Sequence, residues 1–242
     1  MAHVRRGFLA GAFDTRALAA FVGAADDPVA PETLDVLEFG WKYQTNDLSF
    51  DLASFYYKWE DKQTFDLNNE GNPAFLNIPK ANVYGFDGDL KWRISDNWQL
   101  NLSTGSLQSE IVDAGNLRFT EKGKTLSHTP RWSHAFLLSY FLENKLGESS
   151  VNLSHRYKSQ VYDNNANTEY NVIEAQALWN ISMKHQFKQS NRLSYSIEAG
   201  VENISGEKHC HSLTDNASLS YAVQCRPNVG NAQWYLGLRV DM

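Results

Sequence analysis

Residues 173–187 read IEAQALWNISMKHQF. Ile173, Ala175, Ala177, Trp179, Ile181, Met183, His185 and Phe187 alternate with Glu174, Gln176, Asn180, Ser182, Lys184 and Gln186, and Leu178 is the one apolar interruption. Side chains of a strand alternate between two faces, whereas a helix repeats every 3.6 residues. The stretch is therefore a long strand with one apolar and one polar face. The end of the chain repeats it. Trp234, Leu236, Leu238 and Val240 share one face, and Gln233, Tyr235, Gly237 and Arg239 share the other.

Working outward, the same period runs through 3–12, 33–44, 48–60, 82–94, 98–110, 130–142, 149–160 and 192–203. The reading gives about ten antiparallel strands, most longer than the ~5–6 residues usual in soluble sandwiches. A strand tilted across a bilayer needs ~9–11 residues. The links carry a second signal. Short polar turns at 45–47, 95–97, 143–148 and 188–191 alternate with long links at 61–81, 111–129, 161–171 and 204–231. Outer-membrane barrels have short turns on one side and long loops on the other. A Greek-key sandwich has no reason to alternate in this way. Aromatics make up 13% of the chain, and Trp41, Tyr43, Trp92, Trp98, Trp132 and Trp234 fall near strand ends, where barrels carry their aromatic girdles.

Composition narrows the function. No run of about 18 apolar residues occurs, and mean hydropathy is −0.47, so a membrane-spanning helix is excluded. A strand-built span is not, because alternation hides its apolar half from such an average. The net charge of −6 argues against a nucleic-acid partner, which calls for a basic surface. No nucleophile elbow, phosphate loop or Ser/His/Asp spacing is present, so no enzyme and no cofactor are expected. His209-Cys210-His211 is a poor metal site, since residues one apart point to opposite faces of an extended chain. His128, His134, His155 and His185 are scattered.

The fold class is thus all-β, an up-and-down transmembrane barrel segment of about ten strands. Period two places Trp179, Ile181, Trp234, Leu236, Leu238 and Val240 toward lipid, and Glu38, Lys42, Asp87, Lys184 and Arg239 toward the lumen. Cys210 and Cys225 sit in the last long link, on the extracellular side by the alternation. An oxidising compartment favours a disulfide there, worth about 3 kcal/mol in the chain-entropy picture. Glu60-Asp61 and the loop residues Asn68, Asn69, Glu70 and Asn72 are read as solvated polar loop.

Several stretches resemble the barrel of TonB-dependent outer-membrane receptors. PETLDVLEFGWK at 31–42 is similar to that family's P-E-x5-E-x-G-x-K strand. Phe55-Tyr56-Tyr57 with Gln63 resembles the next one. Asn77, Ala81, Val83, Gly85 and Asp87 resemble N-x-x-x-A-x-V-x-G-x-E, with Asp for Glu. His128-Thr129-Pro130-Arg131-Trp132 resembles a strand start, Asn203-Ile204 a penultimate N-L motif, and Gly7 to Phe13 the end of an earlier strand. The resemblance implies residence in the bacterial outer membrane and a place in a 22-strand type barrel. It also implies uptake of ferric siderophores or similar large nutrients, with an energy-coupling TonB protein engaged through segments not found in 1–242. On this reading the chain is the C-terminal part of the barrel, and the plug domain and earlier strands are its missing partners. The chain departs from the family in ending at Met242 rather than an aromatic, and in reading SGEKH after Asn203-Ile204. The other expectation is a small self-contained outer-membrane barrel with an adhesin or structural role. Ten tightly closed strands would crowd the inward-pointing Glu38, Lys42, Asp87, Asp89, Lys91 and Arg239 into a narrow lumen, so an open sheet is expected, with no ladder between 232–242 and the first strand.

Overall fold

A computed structural model of the chain describes residues 1–12, 28–67, 73–115, 117–188, 193–208, 210–215, 223–227 and 230–241. The strands are β1 (Ala2–Leu9), β2 (Glu32–Gln44), β3 (Leu48–Leu67), β4 (Pro73–Arg93), β5 (Trp98–Asp113), β6 (Trp132–Asn144), β7 (Gly147–Lys158), β8 (Val161–Tyr162), β9 (Val172–Ile173), β10 (Gln176–Phe187), β11 (Ser194–Glu202), β12 (Cys210–Asp215), β13 (Val223–Pro227) and β14 (Gln233–Asp241). A three-residue 3₁₀ turn at Glu169–Asn171 is the only helical element among the described residues.

The main sheet has ten strands in the order β1-β2-β3-β4-β5-β6-β7-β10-β11-β14. Every neighbouring pair is antiparallel. Sequence order equals spatial order, because turns such as 45–47 and 95–97 are too short to reach any strand but the next. β8–β9 and β12–β13 are two small separate sheets inside the long links 159–175 and 203–232. β1 and β14 stand at opposite ends of the order, and no ladder joins them among the described residues. The sheet is open, as the sequence predicted.

One expected link is overturned. Residues 61–67 and 73–81 are strand rather than loop. β3 runs on to Leu67 and β4 begins at Pro73, paired Lys62↔Ile78 through Leu67↔Pro73. The reading failed because the alternation breaks there. Asp61 adopts φ 53, in the left-handed region, and neither it nor Pro79 takes part in the ladder. Past this kink the faces exchange. Even-numbered Ile78 is fully buried in one cluster with odd-numbered Ala81 and Val83. A period-two pattern that changes phase looks like irregular sequence.

That cluster is the main buried core. Ile78, Ala81, Val83, Ile111, Ala114 and Leu126 are buried, with Phe55, Tyr57, Trp59, Leu107 and Leu117 packed against them. It lies at the long-link end of β3–β5, where link 114–131 folds over the sheet. The far strands have nothing comparable, and every described residue of β14 is exposed.

Candidate functional site

The ladder registers join alternate residues into two continuous faces. One runs Val4, Leu37, Tyr56 and Tyr84 across β1–β4. It also runs Leu90, Leu102, Phe136 and His155 across β4–β7. On the last strands it carries Trp179, Ile181, Val201, Trp234, Leu236, Leu238 and Val240. This face is apolar and bare: Trp234 is 81% exposed, Leu236 74% and Leu238 70%. Edge-to-face aromatic pairs stud it, including Trp41–Phe50, Phe86–Trp132 and Phe136–Trp179 at centroid distances of 5.0, 5.9 and 5.5 Å.

Glu38, Lys42, Asp87, Lys184 and Arg239 share the opposite face by the same registers. They do not form one cluster. Glu38 accepts a 2.7 Å hydrogen bond from the Tyr57 hydroxyl and lies near Asp87, which is also close to Asp89. Lys42 meets Asp51 at 3.5 Å. Lys184 and Arg239 are far along the sheet, on β10 and β14. Between these ends the polar face is knit by neutral bonds. The Ser139 hydroxyl donates to Asn152 at 2.7 Å, and Asn180 Nδ2 donates to Ser154 at 3.1 Å.

The charge rule has an exception. Arg6 and Asp35 lie on the apolar face, joined through two guanidinium–carboxylate bonds of 2.5 and 2.6 Å. Lys58 and Glu60 continue the row at 2.8 Å. All four sit toward the long-link ends of β1–β3, beyond the Leu37–Phe39–Trp41 band. Parity assigns the face, and depth along the strand assigns the polarity.

The long-link ends are pinned by side chains. Glu32 accepts from Trp59 Nε1 at 2.7 Å and from the Gln63 backbone N–H at 2.8 Å. Gln63 Nε2 donates to the Ala10 and Ala30 carbonyls at 2.9 and 3.2 Å. Asn77 accepts from Ala30 N–H at 2.8 Å and donates to the Asp61 carbonyl at 2.6 Å. At the start of β6, Thr129 Oγ1 lies 2.8 Å from Ser109 Oγ, which accepts from Leu126 N–H at 3.0 Å. Asn203, 1% exposed at φ 50, donates through Nδ2 to the Glu207 and Gly230 carbonyls. Its backbone N–H donates to Asn180 at 2.9 Å. Gly85 serves differently. A Cβ there would lie 2.0 Å from the Ser106 carbonyl oxygen, so β4 and β5 approach only because the position is bare. Glu32, Gln63, Asn77, Gly85, Thr129 and Asn203 are all motif residues of the sequence. Their motif spacing marked them, but their convergence could not be read without the register.

Two long links are fastened to each other. Asn167 Oδ1 accepts from Thr125 N–H at 2.7 Å, and Asn165 Oδ1 accepts from Ser127 N–H at 2.9 Å. Asn165 also reaches Thr64 on β3, at 3.1 Å. His128 Nε2 lies 3.3 Å from Asp163. The scattered histidines are less scattered than the sequence suggested. The register stacks His134 and His155 with ring centroids 5.2 Å apart, and His155 against Trp179 at 4.1 Å. No group of three metal-binding side chains occurs among the described residues. Cys210, at the start of β12, is disulfide-bonded, and Cys225 lies on β13, whose side chains fall outside the described residues. His209, Asn68, Asn69, Glu70 and Asn72 also lie outside them.

A long-stranded meander with a bare apolar face, a polar opposite face and all its long links at one end is the wall of an outer-membrane β-barrel. The chain belongs to the TonB-dependent receptor-like β-barrel family, whose family model matches residues 4–204. It is a segment of an outer-membrane β-barrel of that family. Among curated proteins it is similar to the pesticin receptor of Yersinia enterocolitica, 24% identical over 110 residues, covering 46% of this chain and 16% of that protein. The pesticin receptor of Yersinia pestis is 23% identical over the same length. Among solved structures, the ferric yersiniabactin uptake receptor FyuA of Yersinia pestis aligns with a TM-score of 0.76 at 19% identity, covering 99% of this chain and 34% of that one. BauA, the ferric preacinetobactin receptor of Acinetobacter baumannii, aligns at 0.70 and 14% identity, covering 99% and 33%. The chain spans about a third of the length of these solved receptors.

Proposed function

We propose that residues 1–242 form part of the wall of a receptor that takes up ferric siderophores or comparably large, scarce nutrients. The observation that carries this reading is the pairing of a bare apolar face with a polar one carrying Glu38, Lys42, Asp87, Lys184 and Arg239. Trp179, Ile181, Trp234, Leu236, Leu238 and Val240 then meet outer-membrane lipid, and the five charged residues line a water-filled lumen. The long-link end is extracellular, and its pinned links face the incoming ligand. The relatives' names supply the ligand class, a ferric chelate. Energy coupling through TonB, a plug domain and further barrel strands would be contributed by segments other than 1–242. Cys210 and Cys225 would brace the last link from outside. A self-contained barrel of adhesin type is disfavoured, since closure requires a β1–β14 ladder and those strands end opposite sides of an open sheet.

The test is growth and radiolabelled-iron accumulation under iron limitation, with a panel of ferric chelates, in cells with and without the gene. Loss of uptake for one chelate class supports the reading. Unchanged uptake across the panel overturns it.

A further inference from the structure

The link 114–131 is tied down by several hydrogen bonds, yet it holds an aromatic ring out of the core. Leu117 packs on the core cluster, Thr120 is 3% exposed and donates to Asp66 at 2.8 Å, and Leu126 is buried. Backbone bonds Ile111 N–H to Lys124 and Gly123 N–H to Ile111, both 2.8 Å, tie the link to β5. Between half-buried Leu117 and buried Thr120 stands Phe119, 46% exposed, with the guanidinium carbon of exposed Arg118 5.1 Å from its ring centroid.

The link is also basic within an acidic chain. It carries Arg118, Lys122, Lys124 and Arg131 against Glu121 alone, while the chain as a whole is −6. Lys124 approaches Glu121 at 4.0 Å. Arg118, Lys122 and Arg131 make no ion pair within 4.0 Å among the described residues. The adjoining link 159–175 is acidic, but its Asp163 is engaged by His128 rather than by these cations.

We infer that Arg118 and Phe119 form a recognition element for a negatively charged chelate bearing an aromatic ring; this rests on the uptake reading above and narrows its ligand class. The ring of Phe119 offers a stacking surface at little entropic cost, because two neighbours fix its backbone. Arg118, planar and already laid over that ring, presents its N–H groups to phenolate or carboxylate oxygens. Lys122 and Arg131 add attraction without geometry. A neutral aliphatic chelate would gain from neither.

The experiment uses outer-membrane vesicles carrying the protein as the cell makes it. Binding is measured for a trianionic ferric tris-catecholate and for a neutral aliphatic ferric tris-hydroxamate. The parent binds the catecholate more tightly, and Arg118→Ala and Phe119→Ala each weaken it about tenfold, the scale of a well-placed contact residue. Arg118→Lys restores only part, since it keeps charge and loses the planar fork. Heat-modifiable gel mobility confirms that each variant's barrel is intact. Equal catecholate affinity in parent and Arg118→Ala overturns the inference, as does a parent that prefers the hydroxamate, and both leave the uptake reading standing. A parent that binds neither chelate, in cells that also take up no ferric chelate through this gene, overturns both.

Discussion

Strands β10, β11 and β14 and the long-link end of β3–β5 are built from the same residue types and are stabilised by different surroundings. In the first region the described side chains of β14 are all exposed, and Leu236 and Leu238 are 74% and 70% bare. In the second, Ile78 and Ile111 have no exposure at all. Ile78 and Ile111 are held by one another and by a folded link. Leu238 has no comparable packing within the described residues, and on the proposed reading its apolar surface meets hydrocarbon. The lesson is that burial measured within the chain reports the core at the long-link end and gives no account of the bare apolar face.

The largest expected effect is at the mouth. Ile111→Ala should cost ~2–5 kcal/mol, the range for emptying a packed site, and should do so equally in micelles and in bilayers. Chemical unfolding monitored by Trp fluorescence in both media checks it. A cost that vanishes in one medium would break the contrast drawn here. Leu238→Arg reverses the pattern. Near the midplane it should cost ~2–4 kcal/mol in a bilayer, while Lys184→Gln on the opposite face, at an exposed position, changes folding little. If the two variants refold into lipid vesicles with equal yield, the assignment of faces is wrong.

Loss of a pin sharpens the comparison from the other side. Asn203→Ala leaves the Glu207 and Gly230 carbonyls without their donor, which should cost ~1–3 kcal/mol. It should also speed protease cleavage within 203–232 while leaving β10–β11 protected. Cleavage mapped by mass spectrometry at an unaltered rate would count against a pinning role. The smallest effect belongs to Arg6 and Asp35. Their pair lies at the surface with both side chains largely exposed, so the coupling in a double-mutant cycle should be small and should fade as salt is raised. A large, salt-insensitive coupling would mean that the row Arg6–Asp35–Lys58–Glu60 is immersed deeper than the band beneath it allows.

Much of the wall was legible because its rule is local. Period two in 176–187 and 233–240 names both faces without any knowledge of neighbours, and short turns force successive strands to pair; the same pattern misplaced 173–175, since Ile173 pairs with Val161 in a separate small sheet. The same rule failed at 61–81, where Asp61 and Pro79 change the phase and hide two strand extensions. Nor could it anticipate Arg6 and Asp35 on the apolar face, because alternation carries no information about depth. The pins were visible only as motif letters. Glu32, Gln63 and Asn77 are far apart in sequence, and what unites them is a register and a kink. Arg118 and Phe119 belong to no period and no motif, and their exposure follows only from how Leu117 and Thr120 are buried around them.

The meander order carries a kinetic consequence. Each strand of the main sheet pairs with the next available strand of the chain, so the wall can grow strand by strand, across short turns at 45–47, 94–97 and 145–146 and across the long links between those hairpins. The excursions β8–β9 and β12–β13 close on themselves and need not wait for it. The ties across the mouth are of another kind. Asn165 meets Thr64 across 101 residues of chain, and Asn77 meets Ala30 across 47. Closing such loops costs entropy that only an already assembled sheet offsets. The mouth is therefore the last part to set, and a barrel caught during insertion has its wall in place before its links have found each other.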